Sequence, residues 1–233
     1  MSRTNISANF MVSYKNVFLK IFLQMKKLLF LFTVLISAAG FTQNDEAYVD
    51  AKVAQKMAEL ELQQNPEYFF RKDYCDGNIQ MFNLPSGKLC TSKSTYYAVY
   101  VFWSEDEDVM KLQKFDNCGS FMPISISRKS TIGKLLKDKN ALREGEVKPY
   151  EGEKIDENAF GNMSVQSCHK EYKFVFGGKP FEKKFKEFDL TNDSKYKNIN
   201  AEHNNSLELI KMDIIISEMI KNFDENGKFF REN

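Results

Sequence analysis

Four cysteines and two histidines hold most of this chain's capacity for side-chain chemistry, and their spacing narrows what that chemistry is. Cys75, Cys90, Cys118 and Cys168 contain no C-x-x-C pair, so neither a zinc ribbon nor a thioredoxin-type redox motif is expected. An even number of cysteines is the pattern of two structural disulfides in an oxidising compartment, with four buried free thiols as the alternative. Three connectivities are possible. Cys75 and Cys90 flank a hairpin-like segment, so Cys75–Cys90 with Cys118–Cys168 is the expected pairing.

His169, beside Cys168, is the one candidate general base. Its plainer reading is a polar residue on the solvent side of a strand. His203 lies in the polar stretch AEHNN and reads as a surface loop residue. No G-x-S-x-G elbow accompanies either histidine. Residues 189–194, DLTNDS, alternate oxygen-bearing side chains as a calcium loop does, but Ser194 stands where the sharp turn needs glycine and Asn200 where a bidentate glutamate would close the site. The 224–228 stretch, DENGK, fails the same pattern earlier, and the acidic 104–108 run, SEDED, reads as a solvated turn. GGKP at 177–180 lacks the Walker spacing and precedes a strand, so it reads as a hairpin turn. Trp103 is expected in the core, with a strand-end sugar or peptide contact as the alternative. FEKKFKEF at 181–188 reads as a half-exposed edge, or as a surface for an anionic partner. No catalytic residue, cofactor or metal site is assigned.

The elements that must position these residues are legible from periodicity. Residues 44–64 favour a helix, capped by Asp45, with Val53, Met57 and Leu60 on one side. A hairpin is expected from 79–82 and 89–91 around LPSG. TYYAVYVFW at 95–103 has apolar residues in both alternating sets, the mark of a central strand covered on both faces. Residues 109–115 and 121–127 follow as strands, the latter an edge because of Pro123. A short helix is expected over 130–143, a long loop over 144–162, and a second hairpin from 163–176 and 181–190 about Gly177 and Gly178. A C-terminal helix over 206–223 carries Leu207, Ile210, Ile214, Ile215, Met219 and Phe223 as its apolar face. The sum is an α+β domain: a mainly antiparallel sheet with an N-terminal helix, a short middle helix and a C-terminal helix.

Residues 25–45, MKKLLFLFTVLISAAGFTQND, supply a basic head, an apolar core and a small-residue cleavage region. The apolar run is too short to span a bilayer and has no basic stop-transfer cluster after it. Residues 1–42 are therefore expected to be a signal peptide, cut after Ala39, Gly40 or Thr42. Met25 is the expected initiator, with a long basic n-region or a signal anchor as alternatives, and 43–233 the single domain. No cysteine follows the apolar core, so a lipoprotein anchor is not expected.

The 233-residue chain has a formal charge of +1. Its first 40 residues carry Arg3, Lys15, Lys20, Lys26 and Lys27 and no acid, so the remainder has 28 basic against 32 acidic residues, a balance of −4. Such a surface has no general attraction for nucleic acid or anionic lipid, and contact with the membrane is expected only during export. With 42% hydrophobic and 14% aromatic residues the mature chain can build a full core. The bias toward lysine, asparagine and phenylalanine fits an AT-rich bacterial genome. The expected function is that of an exported, periplasmic or secreted, non-catalytic binding or envelope-associated module with a protein or small-molecule ligand. The alternatives are a periplasmic hydrolase using His169 and an inhibitor or immunity-like partner protein.

Overall fold

A computed structural model describes residues 45–63, 67–127, 136, 138–154, 167–177, 179–192 and 196–232. The expected leader, the first part of the middle helix at 130–135, and residues 163–166 of the second hairpin lie outside the described residues.

Helix α1 (Glu46–Leu62) starts where Asp45 accepts the Tyr48 N–H at 3.1 Å, one of the donors a helix start leaves unpaired. Strands follow as β1 (Glu67–Cys75), β2 (Met81–Asn83), β3 (Leu89–Thr91), β4 (Tyr97–Ser104), β5 (Val109–Asp116), β6 (Gly119–Ser120) and β7 (Ile124–Ser127). After the short helix α2 (Lys139–Glu144) come β8 (Gly152–Lys154), β9 (Cys168–Phe176), β10 (Lys179–Lys186) and β11 (Tyr196–Asn198), then α3 (Ala201–Ser206) and α4 (Glu208–Glu225). The fold is α+β. Its seven-stranded antiparallel sheet has the order β10-β9-β1-β4-β5-β6, with β7 also on β5. β2–β3 and β8–β11 form two small satellite pairs.

β4 has both faces buried, as its uniform apolar content requires. One face, formed by Tyr68, Val99, Val101, Trp103 and Phe115, takes Val49, Val53 and Leu60 of α1. The other, with Phe69, Phe102, Leu112 and Phe174, takes Leu142 of α2 and Leu209, Ile210, Met212 and Ile216 of α4. Of the face expected for the C-terminal helix, Ile210 is buried and Leu207, Ile215, Met219 and Phe223 pack against the core; Ile214 is the exception. Ile214 is 47% exposed, while Asp213 is buried, because Asp213 meets cations planted in the sheet.

Two further differences from sequence expectation stand out. From Tyr68 onward the sequence shifts toward a period of two without bounding a strand there; the structure makes Glu67–Cys75 the sheet's second interior strand, with Arg71, Lys72 and Asp73 inside it. The segment expected as one loop over 144–162 contains β8, which pairs with β11. Buried Asn198 and Asn204 stitch that region together: Asn204 Nδ2 donates to the Lys148 and Asp189 carbonyls at 2.8 Å each, and Asn198 Nδ2 to the Asp189 carbonyl at 2.9 Å.

Candidate functional site

The four cysteines form two disulfides, and the pairing corrects the sequence expectation. Cys75 joins Cys168, and Cys90 joins Cys118. Cys75 and Cys168 are register partners across the β1–β9 pair, far apart in sequence and adjacent in the sheet. Gly77, at φ 72°, turns the chain away from Cys75 at the end of β1. The β2–β3 hairpin then sets Cys90 against the β5–β6 turn. Loops of this length correspond to about 4.7 kcal/mol for the first bridge and about 3.5 kcal/mol for the second in the chain-entropy model.

His169 stands on the α1 side of the sheet, one place along β9 from the first bridge. Its Nε2 lies 3.2 Å from Asp76 Oδ2, and its ring stacks on Tyr74 at 4.7 Å between centroids. The Tyr74 hydroxyl donates to Glu171 at 3.2 Å, and Lys184 pairs with the same carboxylate at 3.1 Å. The register explains this grouping. Tyr74, His169 and Lys186 form one row across β1, β9 and β10, and Lys72, Glu171 and Lys184 form the next. His203 is placed elsewhere, with Nε2 3.2 Å from the Glu146 carbonyl oxygen.

Helix α1 packs over β4, β5 and β6 and reaches β1 at Tyr68 and Lys72, while among the described residues the Glu182 and Lys184 side of β10 on this face is exposed. Between the helix and that exposed side runs a groove of about 290 Å³, floored by Phe70 and Val99 and walled by Val53 and Met57. Its rim alternates in sign: Lys173 pairs with Glu182 at 3.4 Å, beside the Lys184–Glu171 pair. Lys72 is buried at the helix side, donating to Glu46 at 2.6 Å and Asp50 at 2.9 Å. Burial pulls its pKa down, but the two carboxylates outweigh burial and the net shift is upward. Trp103 is buried beneath α1 with the Lys56 ammonium 4.4 Å from its ring centroid, so it is not a strand-end contact residue. FEKKFKEF divides its duties: Phe185 enters the core, while Glu182 and Lys184 line the groove.

The opposite face holds a charged network that sequence reading missed. The Arg71 guanidinium forks onto Asp73 at 2.7 and 2.6 Å, donates to Ser217 at 2.9 Å and lies 3.3 Å from Asp213. Asp213 also accepts from the Tyr172 hydroxyl at 2.6 Å and faces Lys170 at 3.7 Å. At the far end of the same face, fully buried Asp116 receives the Arg231 fork at 2.9 and 2.6 Å and the Tyr96 hydroxyl at 3.2 Å. The only sequence signal was polar residues interrupting a strand pattern in β1 and charge within the apolar run of α4.

Burial first, and then the neighbouring carboxylates, hold the Tyr96 and Tyr172 phenols well above the ordinary value of 10; burial and Glu61 push Tyr68 up to about 12. Below pH 10 folded and unfolded chains both keep these protons, so the contribution is fully present. Above pH 10 the unfolded chain ionises first, and stability falls as pH rises toward the folded-state values. An alkaline titration should therefore show these phenolates appearing together with loss of far-ultraviolet circular dichroism. Smooth ionisation of every tyrosine near pH 10 in a still-folded chain would contradict the buried placement.

The 189–194 stretch, whose spacing falls short of a calcium loop, uses its first residue to hold backbone. Asp189 accepts the Tyr150 and Lys186 N–H groups at 2.9 and 3.0 Å, while residues 193 and 194 lie outside the described residues. Among the described residues no three His, Cys, Asp or Glu side chains are grouped to hold a metal, and no helix is long and apolar enough to cross a membrane. Comparison with known proteins gives no match to a family model, a curated protein or a solved structure.

Proposed function

We propose that this chain is an exported binding module, periplasmic or secreted, whose ligand lies in the groove between α1 and the exposed β10 side of the sheet. The groove carries the reading: an apolar floor bounded by lysines and glutamates in alternation suits a ligand that bears both charges on a partly apolar body, such as a mixed-charge peptide segment. The two disulfides support the oxidising compartment that export implies. The leader-like stretch at 25–45 supports the route.

Two measurements test it. N-terminal sequencing of the native protein should begin within a few residues of Thr42, and native protein isolated from the cytosol with the leader attached would end the export reading. For the groove, ligand retained from the native envelope fraction by the wild-type chain should be lost by the Lys173→Glu, Lys184→Glu double variant and kept by a Lys88→Glu, Lys221→Glu control. Equal retention by both variants would move the site elsewhere.

A second reading, a hydrolase with His169 as base, draws support from the 3.2 Å contact to Asp76. A carboxylate at that distance can orient an imidazole. All four cysteines are bridged, so no thiol is available as its nucleophile. His169→Gln should then abolish a hydrolytic activity of the purified protein while leaving groove binding intact.

A further inference from the structure

On the sheet face opposite the groove, Tyr100 of β4 and Lys114 of β5 are register partners. The Lys114 ammonium nitrogen lies 5.0 Å from the Phe121 ring centroid, 5.1 Å from that of Phe229 and 5.9 Å from that of Tyr100. Its side chain is half-buried. Two carboxylates stand on nearby positions of the same face, and each is already claimed by an arginine. Asp116 takes the Arg231 fork, the Tyr96 hydroxyl and the Cys118 N–H. Asp73 takes the Arg71 fork. Among the described residues no carboxylate lies within ion-pair distance of Lys114 Nζ.

The arginines thus strip the lysine of acidic partners and leave it aromatic faces. Burial lowers its pKa; the charges of Asp116, exposed Asp224 and Asp73 offset part of that, and Arg231 adds to it. Rings stabilise an ammonium by cation–π attraction, but they accept no hydrogen bond as strong as a carboxylate's. A lysine in partly apolar surroundings without an acid is the setting in which an amine becomes a useful nucleophile.

We propose that Lys114 is a carbonyl-capturing amine of this protein, condensing with an aldehyde of apolar or aromatic character seated among Tyr100, Phe121 and Phe229. The Nζ lone pair forms a bond to the carbonyl carbon. The oxygen leaves as water carrying both amine protons, and a C=N imine remains. No oxidant or reductant is needed for this step. The site is separate from the groove, so neither depends on the other.

The test uses the purified protein with benzaldehyde and cyanoborohydride at neutral pH, the reductant serving only to fix the imine, followed by peptide mapping by mass spectrometry. Lys114 should be labelled faster than exposed Lys88, Lys221 and Lys228, since burial lowers its pKa and leaves more of it as free amine at neutral pH. Its rate should level off at lower pH than theirs. Labelling at or below the rate of the exposed lysines overturns the proposal. Phe229→Glu places a carboxylate beside the amine and should bring Lys114 to the surface rate, while Phe229→Leu should keep it fast. Equal rates in those two folded variants would also overturn it.

Discussion

Replacing Arg231 by alanine should cost about 3–5 kcal/mol, the usual consequence of removing one partner from a buried charge pair. Asp116 has no exposed surface, and its carboxylate is aimed at the guanidinium from 2.6 and 2.9 Å. Among the described residues, loss of the arginine leaves that charge with the Tyr96 hydroxyl and the Cys118 N–H as its hydrogen-bond donors. The tail holding Arg231 also loosens. It is tied down by Met122 N–H to the Phe230 carbonyl at 2.7 Å, by Glu232 N–H to the Ser120 carbonyl at 3.0 Å and by Gln113 to Glu232 at 3.1 Å. Urea unfolding of the variant should show a lower midpoint with an unchanged slope. Adding Asp116→Asn should recover a large part of the loss by removing the orphaned charge. An Arg231→Ala variant within about 0.5 kcal/mol of wild type would mean the pair is not buried in solution.

Asp213→Ala should be comparably damaging, again about 3–5 kcal/mol. One carboxylate serves Arg71, Lys170 and Tyr172, all three buried. Removing it leaves Arg71 with Asp73 alone, Lys170 with Glu187 at 3.2 Å, and the Tyr172 hydroxyl without its acceptor inside the interface of α4 with the sheet. Leucine at 213 alone should fare no better, since volume is not what the site lacks. The quadruple change Arg71→Met, Asp73→Asn, Lys170→Met, Asp213→Leu, which also removes the charge that Arg71 holds, should instead return most of the stability, because replacing a buried ionic group together with its partners is often neutral or better. Calorimetric midpoints across this series give the answer. A quadruple variant as weak as Asp213→Ala would show that the network contributes more than mutual neutralisation.

These two clusters also mark where sequence legibility stops. A strand period of two and a helix period of 3.6 are local properties, so the β4 run at 95–103, the hairpin about Gly177 and the Asp45-capped helix could be recognised without knowing their neighbours. β1 could not be recognised as easily. Its Arg71-Lys72-Asp73 stretch resembles a solvated segment until Asp213 of α4 and Asp50 of α1 arrive from opposite faces to neutralise it. The groove was invisible for a related reason: its residues come from α1, β1, β4, β9 and β10, and register alone puts Phe70 beside Lys173 and Glu182. His169 was legible as a strand residue, whereas Asp76, its partner, sits in a turn 93 residues earlier.

By itself, the amino-acid sequence determined the α+β class, the central strand and the positions of most turns, because these follow from side-chain size, branching and the conformational freedom of glycine and proline over a few neighbouring residues. Strand order, the Cys75–Cys168 and Cys90–Cys118 pairing, the inward turn of Asp213 and the anchoring of the C-terminal tail were decided only in the tertiary structure. Each depends on burying a charge or a sulfur against a group distant in the chain, and the free energy of that burial exists only once both partners have left water.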